Sequence, residues 1–313
     1  MIRGRFRTEN GECKVPVRRR GMKGKRIIEK GMNGIFFTCG IVSIAAVVLI
    51  TIYMVIAGLP GIREIGLTDF LFGQTWKSTA AEPKYGILPF ILTSVYGTAG
   101  AVLLGVPVGL MTAIFLSKIA PSKIAGMVRP AVNLLAGIPS VVYGLVGMIL
   151  LVPAVAKLFH LANGTSLLAA ILVLAIMILP SIVNVSETAL NSVPQEYEEA
   201  SLALGATKIE TIFKVSIPAA RSGIAAGIVL GVGRAIGEAM AVMMVAGNVA
   251  NMPELFKSVT FLTTAVSKEM SYATGLQKEA LFSIALVLFI FIMMINVTLN
   301  LLLKKRGGKN EKS

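Results

Sequence analysis

Long apolar stretches alternate with polar segments along the chain after residue 30. A transmembrane helix needs about 20 consecutive apolar residues, and six stretches reach that length. Several of them contain glycine or proline, which is tolerated where neighbouring protein satisfies the backbone. The pattern therefore predicts an all-α polytopic membrane protein with six transmembrane helices. The predicted spans are residues 34–56, 88–116, 131–155, 168–190, 217–246 and 280–303.

A polar segment, residues 191–218, separates the fourth and fifth spans and is predicted to form two short helices. Pro194 suits a first helical turn, and Gly205 suits the left-handed residue that ends a helix. Thr207 and Glu210 have the spacing of a capping box that starts a second helix, and Pro218 marks its end or a kink. A helix-turn-helix of this kind in a soluble protein suggests DNA binding. The flanking spans instead place it at a membrane face, either as a plain connector or as a docking segment.

Two charged residues fall inside the fifth span. Arg234 lies roughly 20 Å deeper than Arg221, and Glu238 follows four residues later, a spacing that places both on one helix face. Charges at such depth usually face a bundle interior or an aqueous path. Two interpretations stay open: an ion pair that locks the helix, or an arginine fork for an oxyanion whose charge Glu238 tempers. Ser140 and Tyr143, beside a proline of the third span, are candidate hydrogen-bond donors in the same path.

The charge distribution orients the chain. Hydrophobic residues make up 55% of the 313, and most of the formal net charge of +14 lies in the two terminal tails. Basic segments beside spans stay in the cytoplasm, so both termini are predicted to be cytoplasmic, with a possible contact to anionic lipid. Because the positive charge is confined to tails with little aromatic content, a nucleic-acid partner is not expected.

The predicted organisation has five parts. They are a basic cytoplasmic tail (1–30), a first transmembrane helix (31–58), an extracytoplasmic loop (59–86), a transmembrane domain with the cytoplasmic segment 191–218 (87–304), and a second basic tail (305–313). The two cysteines, Cys13 and Cys39, lie in different environments, and His160 is the only histidine. The sequence therefore predicts no metal site and no catalytic constellation.

Several stretches together resemble one family of permeases. They are residues 85–89 (YGILP), 135–144 (LAGIPSVVYG), 178–180 (ILP), 199–206 (EASLALGA) and 233–242 (GRAIGEAMAV). With Ile217 and Pro218, the fourth stretch is similar to the loop motif of ABC importer permeases, with Ser201 in place of an alanine. The whole set resembles the PstC-type permease of the bacterial phosphate-specific ABC importer.

The resemblance implies a type I ABC importer permease of MetI-like architecture in the bacterial cytoplasmic membrane. It implies these partners: a PstA-type sister permease, two ATP-binding subunits, an extracytoplasmic phosphate-binding protein and a phosphate-sensing regulatory partner. It also implies that Arg234 and Glu238 matter for phosphate movement. The residues expected to couple to the ATPase are Glu198, Glu199, Ala200, Ser201, Leu204, Gly205, Ile217 and Pro218. ATP and Mg²⁺ would be used by the partner ATPase, so no cofactor is expected in this chain.

Three alternatives stay open at this stage. The chain resembles the sister PstA-type permease in much of the same pattern. A permease for another oxyanion, such as phosphonate, sulfate or molybdate, would share the architecture. A carrier or channel that works without an ATPase is a third class, and it would need its own coupling-ion site.

Overall fold

The structure is a computed structural model that describes residues 22–307. The described residues divide into two compact units, one up to residue 53 and one from residue 54 onwards. In the first unit the described residues are helical throughout, as part of helix α1. The second unit holds the candidate site. Residues 1–21 and 308–313, which make up most of the two predicted basic tails, lie outside the described residues.

Helices make up most of the described chain, and the only strands there form one short hairpin. The helices are α1 (Met22–Ile65), α2 (Leu67–Phe72), α3 (Leu88–Ile114), α4 (Ser122–Gly137), α5 (Ser140–Val146), α6 (Val152–Leu158), α7 (Leu167–Asn191), α8 (Gln195–Ala203), α9 (Lys208–Thr211), α10 (Ile217–Gly237), α11 (Met240–Val245), α12 (Leu262–Glu269) and α13 (Gly275–Gly307). The hairpin pairs β1 (Trp76–Lys77) with β2 (Lys84–Tyr85) in antiparallel fashion. Wide π turns join α3 to Ile119, α5 to α6 and α9 to α10.

Six helical segments of the described chain are long and apolar enough to cross a membrane, which confirms the predicted number. They are Gly31–Ile65, Leu88–Ile119, Ser140–Leu158, Leu167–Asn191, Lys208–Gly237 and Gly275–Thr298. The all-α class is confirmed as well.

The third and fifth predicted spans each run across a helix break, and the first and fifth segments also extend beyond their predicted bounds, to Ile65 and back to Lys208. The third begins at Ser140, because Ile138 and Pro139 are extended and separate α4 from α5. A residue before proline is sterically driven out of the helical region, so the break at Ile138 is a local effect. The fifth ends at Gly237 and does not continue to residue 246, because Glu238 is extended and a separate short helix, α11, follows.

Helix α7 is the centre of the second unit and packs along both α3 and α10. Leu174, Ile178 and Ile182 on α7 are fully buried. Glycines of α3 face these side chains, and a Cβ at Gly105 would lie 2.7 Å from Ile178 Cδ1. The α3 glycines therefore let the two helices approach closely, as small residues do at membrane helix interfaces.

A second close approach joins α5 to α11. A Cβ added at Gly144 would lie 2.8 Å from the Cα of Ala241 and 3.0 Å from its carbonyl oxygen. We expect Gly144→Ala to destabilise the protein by about 1–3 kcal/mol, because backbone atoms cannot yield as a flexible side chain does. The measurement is the Tm of the purified protein in detergent. The control is Gly126→Ala on α4, where a Cβ meets nothing within 4 Å; an equal fall in Tm for both variants would contradict the explanation.

The hairpin end of the unit is held together by one carboxylate. Glu269 accepts hydrogen bonds from Trp76 Nε1 (3.2 Å), Ser78 Oγ (3.0 Å) and Gln277 Nε2 (3.0 Å). Trp76 is buried and packs edge-on against Tyr85, with ring centroids 5.4 Å apart. The only tryptophan is therefore part of a packed core that joins the hairpin to α12.

Candidate functional site

The polar segment between the fourth and fifth spans has the local structure that the sequence predicts. Helix α8 follows Pro194, and Gly205 has a φ of +87°. Thr207 Oγ1 accepts a hydrogen bond from Glu210 N (3.3 Å), while Glu210 Oε2 accepts one from Thr207 N (3.0 Å), which is the predicted capping box. Because a π turn connects α9 to α10, the second short helix runs directly into the fifth span. Pro218 lies in the first turn of α10 and does not end the helix.

The surface of this segment carries exposed apolar side chains. Leu204 is 90% exposed, and no residue of α8 is buried. Of the residues expected to couple, Glu199, Ala200, Leu204, Gly205 and Pro218 are exposed. Four further exposed apolar residues, which the sequence analysis did not single out, are Tyr197, Leu202, Ile209 and Phe213. We name these four residues and Leu204 the apolar coupling face. These residues can be identified from the sequence, because they are apolar residues in an otherwise polar segment.

Glu198 faces the bundle. It forms an ion pair with Lys118, at the end of the second span, and accepts a hydrogen bond from Ser216 Oγ (2.8 Å). A hydrogen bond of 3.0 Å joins Ser201 Oγ to Thr211 Oγ1. Burial by itself raises the pKa of the Glu198 carboxyl, but the hydrogen bonds from Lys118 and Ser216 and the charge of Lys118 outweigh it and hold the pKa below its ordinary value. Glu198 therefore connects α8 to the second span as a charged group.

Arg234 lies in the last turn of α10 and is partly buried. It lines a cavity of about 810 Å³ together with Ser181 of α7, Ser222 of α10 and Asn296 of α13. Three different spans therefore contribute polar groups to the cavity that contains this guanidinium. Donor groups of this kind are suited to an oxyanion.

The predicted pairing of Arg234 with Glu238 on one helix face is wrong. Helix α10 ends at Gly237, and no ion pair between the described residues joins these two side chains. Glu238 Oε1 instead accepts a hydrogen bond from Ala241 N (2.9 Å), while its carbonyl oxygen accepts one from Thr263 Oγ1 (2.8 Å). The Glu238 carboxylate thus caps the first turn of α11.

This capping role has a direct test. We expect Glu238→Ala to lower stability by about 1 kcal/mol, because it removes a cap of α11, whereas Glu238→Gln keeps an acceptor oxygen and retains most of the stability. The measurement is the Tm of both variants in detergent. Equal losses of Tm for the alanine and glutamine variants would show that the charge of Glu238, and not its capping, stabilises this region.

Ser140 and Tyr143 lie outside the cavity that contains Arg234, but Arg234 is close enough to Tyr143 for its charge to act on the tyrosine hydroxyl. Ser140 is the first residue of α5, directly after the break at Pro139. The Tyr143 hydroxyl donates a hydrogen bond to the carbonyl oxygen of Leu135 (2.7 Å), across that break. Neither residue lines the cavity that contains Arg234.

An arginine–glutamate pair of the kind predicted for the fifth span exists between two other residues. Arg129 Nε donates to Glu187 Oε1 at 2.6 Å, and Arg129 Nη2 donates to the Leu116 carbonyl oxygen at 3.3 Å. The Glu187 side chain is 10% exposed and that of Arg129 is 46% exposed. The two partners are 58 positions apart in the sequence, so no local spacing indicates the pair. Within the described residues, no group of three or more His, Cys, Asp or Glu side chains is arranged to hold a metal ion.

Comparison with known proteins agrees with this architecture. Residues 105–306 match the family model of the binding-protein-dependent transport system inner membrane component. The probable ABC transporter permease protein YqgH of Bacillus subtilis strain 168 is 42% identical over 82% of this chain and 86% of its own length. The phosphate transport system permease protein PstC of Pasteurella multocida strain Pm70 is 34% identical over 77% of this chain and 82% of its own. PstC of Haemophilus influenzae Rd is 34% identical over 82% of this chain and 87% of its own.

Solved structures share the fold at lower identity. An inward-facing form of the MetNI methionine ABC transporter aligns at 20% identity with a TM-score of 0.56, covering 70% of this chain and 95% of that one. A bacterial alginate ABC transporter in complex with its pentasaccharide-bound periplasmic protein aligns at 15% identity with a TM-score of 0.60, covering 92% and 99%. The chain therefore belongs to the inner membrane components of binding-protein-dependent transport systems, the permeases of ABC importers, and within them to the PstC type.

Proposed function

We propose that this chain is the permease subunit of an ATP-driven importer of inorganic phosphate and forms half of its translocation pathway. The observation that carries the proposal is the cavity around Arg234, in a chain whose relatives include phosphate transport permeases. A guanidinium stays protonated at any physiological pH and offers a planar fork of donors to a phosphate oxyanion. The serine and asparagine groups beside it can replace part of the water that the anion loses on entering the membrane.

The proposed assembly contains a PstA-type sister permease, two ATP-binding subunits and an extracytoplasmic phosphate-binding protein. ATP is hydrolysed by the ATP-binding subunits, so this chain is not itself an enzyme. The exposed apolar coupling face supports docking of α8 and α9 on such a subunit, because exposed apolar clusters at a membrane-proximal turn usually mark protein interfaces. In this orientation α8 and both termini are cytoplasmic, in accord with the basic tails.

Uptake of radiolabelled phosphate tests the proposal. The assay uses bacterial cells whose only high-affinity phosphate importer is the complex containing this chain, with unlabelled phosphate, sulfate, molybdate or a phosphonate as competitors. We expect phosphate alone to compete strongly, and uptake to stop when the ATP-binding subunit cannot hydrolyse ATP. Stronger competition by another oxyanion would assign the permease to that substrate. Uptake that persists without ATP hydrolysis would contradict the ATP-driven mechanism.

A further inference from the structure

Three cavities adjoin one another on one side of α7. The first, of about 810 Å³, contains Arg234. The second, of about 470 Å³, shares Ser222 with the first. The third, of about 490 Å³, shares Asn184 and Thr188 with the second and contains Arg129. Because neighbouring cavities share these lining residues, we treat the three as one groove from Arg234 to Arg129 and name it the polar groove.

The α7 wall of this groove is a polar stripe in an apolar span. Ser181, Asn184, Thr188 and Asn191 recur at intervals of three or four residues, so they lie on one helix face. The stripe covers about 15 Å along the helix axis. The opposite side of α7 is apolar and buried against α3. Polar residues inside a span face either protein or water, and here they face a cavity.

Hydrogen-bond donors remain available along the groove. Asn184 Nδ2 donates to Asn133 Oδ1 (3.1 Å), and Asn191 Oδ1 accepts from Ser117 Oγ (2.7 Å). In the described part of the chain, no protein acceptor is recorded for the amide nitrogens of Asn133 and Asn191, so these groups can donate to an anion. Arg129 uses Nε and Nη2 in protein contacts, and no acceptor for its Nη1 is found among the described residues.

The charge of Arg129 is balanced by Glu187 and not cancelled. Glu187 lies almost entirely inside the protein, whereas nearly half of the Arg129 side chain is exposed. Both groups line the third cavity, and the guanidinium is the more exposed of the two. A lone arginine holds a phosphate oxyanion strongly, and the carboxylate beside it weakens that hold, which favours release over retention.

We propose that the polar groove is the inner half of the phosphate path and that Arg129, tempered by Glu187, is the anion-binding residue at its exit. This inference rests on the proposed function, since it assumes that an oxyanion reaches Arg234. It adds a second guanidinium on the same route, separated from the first by neutral polar groups. Phosphate would move from one positive site to another and would leave the second into the cytoplasm.

Cysteine labelling tests the groove. In a background in which Ser replaces Cys13 and Cys39, single cysteines replace Asn184 or Asn191 in the complete transporter, and inside-out membrane vesicles expose the cytoplasmic face. Negatively and positively charged methanethiosulfonates are compared, with and without millimolar inorganic phosphate. The matched control is Ile176→Cys, on the same helix and 39% exposed but outside the three cavities. We expect both groove cysteines to react, the negative reagent to react faster, and phosphate to slow the reaction. The control should not respond to phosphate.

Two variants distinguish an anion path from an ion pair that only holds α4 against α7. Arg129→Gln should lower the ratio of negative-reagent to positive-reagent rates about five-fold and abolish protection by phosphate. Glu187→Gln should raise the same ratio, because it leaves the arginine unopposed. A structural lock predicts that both variants act in the same direction, so like changes would overturn the proposal, as would absence of labelling. Co-purification with the ATP-binding subunit verifies that each variant assembles.

The outcomes also distinguish this proposal from the proposed function. If sulfate protects the groove cysteines and phosphate does not, the groove is an oxyanion path and the phosphate assignment fails. If the wild-type complex imports phosphate while no anion protects the groove cysteines, the groove proposal fails and the proposed function stands.

Discussion

Replacing Arg234 by glutamine should reduce phosphate uptake about 100-fold without loss of the protein from the membrane. The guanidinium lies in a cavity with Ser181, Ser222 and Asn296, and no carboxylate among the described residues pairs with it. A hydrogen bond to a charged group contributes up to about 3 kcal/mol, which corresponds to a factor of about 100. Because glutamine keeps hydrogen-bonding capacity but loses the charge, the variant isolates the electrostatic contribution. The measurement is the initial rate of radiolabelled phosphate uptake.

The matched control is Arg221→Gln. Arg221 is on the same helix and exposed, and it does not line the cavity, so its loss should change uptake little. Membrane level and co-purification with the ATP-binding subunit are measured for both variants. Unchanged uptake by the Arg234 variant would show that this arginine only packs the bundle, and the substrate path would need another location.

Removing the ion pair between Glu198 and Lys118 should uncouple ATP hydrolysis from phosphate transport. In the proposed assembly, motion of the ATP-binding subunit reaches α8 first. From α8 the motion is transmitted through the Glu198 carboxylate and Lys118 to the end of the second span. Through the hydrogen bond of Glu198 with Ser216 it also reaches the start of the fifth span. Removing one partner of a largely buried ion pair leaves the other charge uncompensated, at a cost of about 1–3 kcal/mol after allowance for its partial exposure. We expect Glu198→Ala to lower phosphate imported per ATP about ten-fold.

The measurement is the ratio of phosphate uptake to ATP hydrolysis in proteoliposomes that contain the complete transporter. The control is Glu199→Ala, since Glu199 is the neighbouring exposed glutamate and, among the described residues, its side chain accepts a hydrogen bond only from Gln195 on the same helix. The double variant Lys118→Met with Glu198→Leu removes both charges and should restore part of the coupling. If Glu198→Ala keeps the wild-type ratio of phosphate uptake to ATP hydrolysis, the ion pair between Glu198 and Lys118 is not the route of coupling.

Local chemistry explains what was predictable around α8. The cap at Gly205 and the box of Thr207 with Glu210 depend on residues within four positions of one another, so spacing along the chain is sufficient to identify them. The inward direction of Glu198 was not predictable in this way. It depends on Lys118, 80 residues earlier in the sequence, which reaches α8 only because α3 and α7 pack side by side.

The error at Glu238 has the same origin. Helical periodicity extends the fifth span to residue 246, and the spacing of four then places Glu238 beside Arg234. In the structure, Thr263 from a distant segment donates to the Glu238 carbonyl oxygen, and Ala241 packs against Gly144 of α5. These contacts stabilise a helix break that the hydrophobic periodicity of the fifth span does not predict.

The amino-acid sequence by itself determined the membrane-spanning class, the number of spans, the caps of the polar segment and the presence of an arginine inside the fifth span. Each of these follows from hydrophobic length or from spacing within one or two helical turns. Only the tertiary structure decided which charges meet: Glu198 with Lys118, Glu187 with Arg129, and Arg234 with an open polar cavity. Side chains far apart in sequence become neighbours only when apolar helix faces pack, and packing is directed by the shapes of facing residues such as Gly105 and Ile178.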